Sequence, residues 1–133
     1  MGSVLLPVKI SAMSIALQWL AAFGGEVSEE FLDEHIWADG NYLWHIFSWE
    51  GRECLTGDEA RAALAELEYK TAYIFHSGYV TDGTLHAEHL GRIGRVCPEA
   101  LDELGDVYLV AEDFSWTYVH THEEMCGPYF CRK

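Results

Sequence analysis

The sequence has few basic residues. Its 133 residues contain 8 Lys plus Arg against 22 Asp plus Glu, which gives a formal net charge of -14. Lys and Arg are absent between Lys9 and Arg52 and again between Arg95 and Arg132. Binding to nucleic acid or to an anionic membrane surface needs a basic patch that meets phosphate groups, so we predict neither as a partner. The acidity favours either an ordinary solvated surface or a surface that attracts a basic protein.

The chain also lacks a long hydrophobic run. No segment has the roughly 20 consecutive apolar residues that a transmembrane helix needs. The most apolar stretch is SAMSIALQWLAAFGG, and the large residues from Ile10 to Phe23 follow helical spacing, which favours an amphipathic helix over a signal peptide. The 4 cysteines accompany enough apolar residues to build a core without disulfides. We therefore predict a cytoplasmic protein with reduced thiols.

Templates for metal binding and catalysis are missing as well. The sequence contains no Cys-x-x-Cys, His-Glu-x-x-His or Gly-x-Ser-x-Gly motif and no phosphate-binding glycine pattern. His120, His122 and Cys126 could together serve a small metal- or cysteine-dependent enzyme, but their spacing fits no strong zinc template. We predict no catalytic residue, no bound metal and no cofactor, with this small enzyme as the alternative.

Periodicity and turn residues predict an α+β fold in a single domain over residues 1–133. The predicted sheet is mostly antiparallel, its strands cluster toward the C-terminus, and the helices pack on one of its faces. A hairpin turn is expected around Asp82-Gly83. The predicted helices span about residues 10–23, 29–36, 57–68 and 98–104. The predicted strands span residues 41–48, 71–77, 106–112, 115–122 and 128–131.

The predicted strand at residues 115–122 contains the densest group of aromatic and histidine side chains. Side chains alternate along a strand, so Trp116, Tyr118, His120 and His122 are predicted to share one face. Large amphipathic side chains on a half-buried sheet are more often structural than catalytic. We expect Trp116 to be largely buried, and Trp44 likewise. The alternative for the stretch LWHIFSW is that one of its aromatic residues is exposed as an interface anchor.

Three segments have a distinctive pattern: LWHIFSWEGRECLTGDEARAAL, AYIFHSG and DVYLVAEDFSWTYVHTHEEMCGPYF. They resemble a family of small bacterial proteins described only as domain of unknown function number 4275. The similarity extends over about residues 40–131 and is thin from 77 to 105, and residues 1–39 are expected to form N-terminal helices. The family implies no activity, cofactor or catalytic residue. The residues that we assign to its motif are Trp44, His45, Trp116, Tyr118, His122 and Cys126.

Size, acidity and the missing catalytic motifs together suggest a binding role. We expect a non-catalytic acidic protein that binds a basic protein, on the pattern of an immunity protein that neutralises a cognate bacterial toxin. We place the binding surface on the acidic loops beside the C-terminal strands, because binding residues concentrate on loops. A second candidate surface is the early helix with Glu29, Glu30, Asp33 and Glu34. The residues predicted to bind the partner are Asp102, Glu103, Asp106, Glu112, Asp113, Glu123 and Glu124.

Overall fold

The computed structural model describes residues 10–123 and 125–133, and the side chain of His89 is not described. The first part of the predicted N-terminal region, residues 1–9, lies outside the described residues. No helix in the described ranges is long and apolar enough to cross a membrane. The helical elements are α1 (Ala12–Gly24), α2 (Glu29–His35), α3 (His45–Ser48), α4 (Gly57–Glu66) and a 3₁₀ turn (Pro98–Leu101). The strands are β1 (Leu55–Thr56), β2 (Thr71–Thr81), β3 (Thr84–Gly94), β4 (Val107–Ala111), β5 (Trp116–His120) and β6 (Tyr129–Arg132).

Six strands form one antiparallel sheet in the order β1-β6-β5-β4-β2-β3. Asp82 and Gly83 join β2 to β3 with φ angles of 52° and 71°, as a two-residue type I′ turn requires. Val107 at the start of β4 pairs with His120 at the end of β5. β6 lies between β5 and the short β1. The predicted α+β class, the antiparallel sheet and the C-terminal clustering of strands are confirmed.

Helices cover both faces of the sheet, which corrects our prediction of helices on one face only. In the first core, α1 and α3 pack on one face, with Trp44 fully buried near Tyr108. In the second core, α4 and the 3₁₀ turn pack on the other face, where Leu64 lies with Trp116, which is 5% exposed. The predicted burial of both tryptophans is thus confirmed. All five residues of β4 are buried because each of its faces meets a core.

Residues 41–48 do not form the predicted strand. Tyr42 makes one isolated bridge to Tyr79, and the chain then turns into α3. The side chains that enter the core follow the spacing of a helical turn rather than the alternation of a strand. The buried residues of this stretch are Leu43, Trp44, Ile46 and Phe47.

The helix starts follow the serine caps that the sequence contains. Ser11 and Ser28 accept hydrogen bonds from the backbone N–H groups of Ser14 and Phe31, each at 3.1 Å. α2 therefore begins where predicted, and α1 begins two residues after the predicted start. The helix predicted over 98–104 is shorter, because only the 3₁₀ turn forms there.

Candidate functional site

The acidic residues predicted to bind a partner form two groups at opposite ends of β4. The group at the start of β4 and the end of β5 comprises Asp102, Glu103, Asp106 and Glu123. The group at the other end of β4 comprises Glu112 and Asp113. At a rise of about 3.4 Å per residue, β4 separates the two groups by about 20 Å. Glu124 lies outside the described residues. A small partner segment could not contact both groups at once.

A cleft of about 530 Å³ opens at the first of these groups. We call it the β5–β6 cleft, because the segment between these strands forms much of its wall. The three residues of the predicted enzyme cluster line it together with two of the predicted partner-binding acids. Its charged, imidazole and thiol side chains are Arg61, Asp102, His120, His122, Glu123 and Cys126.

Asp102 is held in the cleft wall by α4. Arg61 donates to its two carboxylate oxygens at 2.7 and 3.0 Å and reaches Glu99 at 3.3 Å. The hydrogen bond from Arg61 lowers the pKa of Asp102, so this carboxylate is charged at neutral pH. Our sequence reasoning missed Arg61. The signal that could have identified it is its isolation, since it is the only basic residue between Arg52 and Lys70.

His120 lies beside Asp102 in the cleft. Its Nδ1 lies 2.7 Å from the carbonyl oxygen of Gly105. A carbonyl oxygen can only accept, so Nδ1 is the donor of this hydrogen bond. Nε2 lies 4.0 Å from Oδ1 of Asp102. The second wall of the cleft therefore places an imidazole nitrogen beside a carboxylate.

His122 does not share a sheet face with His120, which corrects our prediction. β5 ends at His120, and His122 turns back toward the first core, where its ring meets that of Trp44. Its Nδ1 lies 2.9 Å from Oδ2 of Asp106, and Oδ1 of Asp106 accepts from Nε1 of Trp44 at 2.9 Å. Nε2 of His122 lies on the other side of the ring, 3.6 Å from Oε1 of Glu123.

The surroundings of Cys126 disfavour the thiolate form that a nucleophilic cysteine needs. Its Sγ lies 3.4 Å from Oε2 of Glu123. Burial and this carboxylate raise the pKa of the Cys126 thiol, whereas catalytic cysteines need a lowered one. Within the described part of the chain, no group of three or more His, Cys, Asp and Glu side chains could hold a metal ion.

The other motif residues lie outside the cleft lining. Trp116 and Tyr118 pack in the second core. Nδ1 of His45 lies 2.6 Å from Oγ of Ser48, and burial lowers the pKa of His45. These three residues therefore support the fold rather than the cleft.

A second surface of interest lies around α2. Trp49 is 59% exposed and stacks on His35 with ring centroids 4.7 Å apart. The stretch LWHIFSW therefore does contain one exposed aromatic residue. The exposed carboxylates on the same helix as His35 are Glu29, Glu30, Asp33 and Glu34.

Fold and cleft together define a single-sheet α+β protein with an acidic, imidazole-containing cleft at one end of the sheet. The chain belongs to the family described as Domain of unknown function (DUF4275), whose model matches residues 8–130. The match includes the N-terminal helices and the β2–β3 hairpin, where the resemblance of the motifs was thin. No curated protein and no solved structure matches the chain.

Proposed function

We propose that this chain is an immunity protein, a non-catalytic acidic protein that neutralises a cognate bacterial toxin in the cytoplasm by direct binding. The proposed partner surface is basic. A net charge of -14 supports this, because opposite charge accelerates the encounter of two proteins. The particular class of partner rests on analogy with small acidic inhibitors.

The chemistry of the β5–β6 cleft is the observation that carries the proposal. Asp102 and Glu123 contribute carboxylates to its lining, and His120 and His122 contribute imidazole rings. The guanidinium of Arg61, in the same lining, already donates to Asp102 and Glu99. The two carboxylates of the lining outnumber this one guanidinium, so the cleft offers negative charge to an incoming group.

A cationic side chain of the partner complements this lining. The guanidinium of arginine has five N–H donors and pairs well with carboxylates, and lysine offers three donors on a compact charge. A basic side chain that enters the cleft would contact Asp102 and Glu123 together, and the partner's surface would then cover carboxylates that are now partly exposed. We propose an arginine or lysine of the toxin as this anchor.

The small metal- or cysteine-dependent enzyme remains the second candidate, because His120, His122 and Cys126 do line one cleft. The raised pKa of Cys126 weighs against a cysteine nucleophile. The two candidates differ in stoichiometry. A binding protein protects only up to about one toxin molecule per chain, whereas an enzyme that modifies the toxin inactivates an excess. Titration of toxin activity with this protein separates them.

The decisive experiment measures association with a candidate toxin, sought among the products of the neighbouring genes, as a function of salt. We expect Glu123→Lys in the cleft to slow association about tenfold or more at low salt, with little change in dissociation. Asp113→Lys is the matched control, since it changes the net charge equally at the far end of β4. The difference in association rate between Glu123→Lys and the parent should decrease as ionic strength rises. At 0.15 M the Debye length is about 8 Å, so salt screens exposed charges beyond this distance.

Two results would contradict the proposal. Equal slowing by Glu123→Lys and Asp113→Lys would mean that the cleft matters no more than the acids at the far end of β4 and that it does not hold the anchor. Unchanged binding after both reversals, and after reversal of the four α2 acids, would mean that the acidity serves solubility alone. Circular dichroism of each variant checks that the fold is intact.

A further inference from the structure

Cys54 directly precedes β1, and Cys131 lies in β6. The register of these strands pairs Leu55 with Phe130 and Thr56 with Tyr129 in antiparallel order. Continued by one residue beyond the start of β1, this register places Cys54 opposite Cys131. Both cysteines carry free thiols.

The two thiols also lie on the same face of the sheet. Phe130 belongs to the second core, so its neighbour Cys131 points to the first core, where it is buried. Cys54 packs against that same core and is partly exposed. Both residues line one shallow cleft of about 360 Å³ at the sheet edge.

The backbone hydrogen bonds between the β1 segment and β6 place Cys54 and Cys131 close together. The N–H of Gly57 donates to the carbonyl of Pro128 at 3.0 Å, which makes this a hydrogen-bonded pair. Such pairs alternate with non-hydrogen-bonded ones, so Cys54 and Cys131, three steps away, form a non-hydrogen-bonded pair. The Cα atoms of such pairs lie about 4.5 Å apart, at the near end of the roughly 4.4–6.8 Å span of disulfides.

We propose that Cys54 and Cys131 form an oxidisable pair that closes to an intramolecular disulfide with a low-molecular-weight disulfide such as oxidised glutathione. The thiolate of Cys54, the more exposed sulfur, attacks one sulfur of the oxidant and breaks its S–S bond. One glutathione leaves as the thiol after taking up a proton. The thiolate of Cys131 then attacks the sulfur of Cys54 and releases the second glutathione. The protein loses two hydrogen atoms, and the oxidant becomes two thiols.

Closure would be slow at neutral pH. Burial raises the pKa of Cys54 to about 12 and also raises that of Cys131. Because the thiolate is the attacking species, its population and the closure rate increase as pH rises toward these values. Once closed, the pair ties the short edge strand β1 to β6.

The test treats the full chain with oxidised glutathione at pH 7 and pH 9, blocks remaining thiols with iodoacetamide, and maps the peptides by mass spectrometry. We expect a Cys54–Cys131 linked peptide, a monomer on a non-reducing gel, and closure at least tenfold faster at pH 9. Cys131→Ser should stop at a glutathione adduct on Cys54. A Cys97→Ser/Cys126→Ser double variant, which retains only the pair, should close like the parent.

Three outcomes would overturn the proposal. A disulfide that involves Cys97 or Cys126 instead, a disulfide between two chains, or a parent that keeps four alkylatable thiols at pH 9 would each show that the pair does not close. The mapping is performed on the parent as well as on variants, so a variant that fails to fold does not decide the result.

Discussion

The carboxylate of Asp106 connects the first core to the β5–β6 cleft, and its removal should be costly. Its side chain is only 13% exposed. It accepts from Nε1 of the fully buried Trp44 at 2.9 Å, from the backbone N–H of His122 at 3.2 Å, and from Nδ1 of His122. Asp106→Ala leaves the indole donor without its partner in a buried place.

The size of the effect follows from these three contacts. A buried donor without a partner costs about 1–3 kcal/mol. Loss of the two hydrogen bonds with His122 adds only about 1 kcal/mol to this cost. His122 is 44% exposed, so water replaces part of each lost hydrogen bond. We expect Asp106→Ala to lower the free energy of unfolding by about 2–4 kcal/mol. For a domain of this size that corresponds to a fall in Tm of about 10 °C.

Asp106→Asn separates the hydrogen bond from the charge. The amide oxygen can still accept from Trp44, so we expect Asp106→Asn to lose only about 1 kcal/mol. Urea unfolding followed by circular dichroism measures each variant, with Glu103→Ala as the exposed control that should match the parent within about 0.5 kcal/mol. The reasoning is wrong if Asp106→Ala unfolds with the parent, or if the Asn and Ala variants are equally unstable.

Three further predictions concern the tryptophans, acid stability and metal. Trp44→Ala and Trp116→Ala should each lower the free energy of unfolding by about 3–5 kcal/mol, whereas Trp49→Ala should leave urea unfolding nearly unchanged. The lowered pKa of Asp102 means that its bond with Arg61 stabilises the fold above about pH 4, the unfolded value, and that this contribution is lost as pH falls below it. The stability difference between the parent and Asp102→Asn should therefore shrink in acid, and a difference independent of pH would contradict this. Elemental analysis of the purified protein should find no stoichiometric zinc, and about one zinc per chain that disappears in His120→Ala would contradict the binding proposal.

Local signals in the sequence predicted much of the fold. Ser28 marked the start of α2, and Asp82-Gly83 marked the hairpin, because each acts through neighbours in the chain. The stretch at 41–48 was misassigned because a short apolar run does not distinguish a strand from a helical turn. The apolar run VYLVA in β4 did indicate that helices pack on both faces of the sheet. A strand without charged or small polar residues is buried on both faces, so each face needs a packed layer.

The β5–β6 cleft was less accessible to such reasoning. Its side chains come from α4, from the turn before β4 and from the segment after β5, and only the register that places Val107 opposite His120 brings these segments together. The residues near β5 were predicted, because they form one dense stretch. Arg61 is conspicuous in the sequence as an isolated basic residue, but its bond with Asp102 and the contact between Trp44 and Asp106 depend on tertiary packing, which no local pattern records.

The position of β6 constrains the order in which the chain can fold. The hairpins β2–β3 and β4–β5 join neighbouring segments and can form as soon as they are synthesised. β1 is made before either hairpin, yet the strand it pairs with is β6, which is made after both. Until residues 129–132 are available, one side of β5 remains an open edge that other chains could pair with. Such non-local pairing is slow. We therefore expect the newly made chain to have a late, aggregation-sensitive step, which chaperones or rapid release from the ribosome would help it to pass.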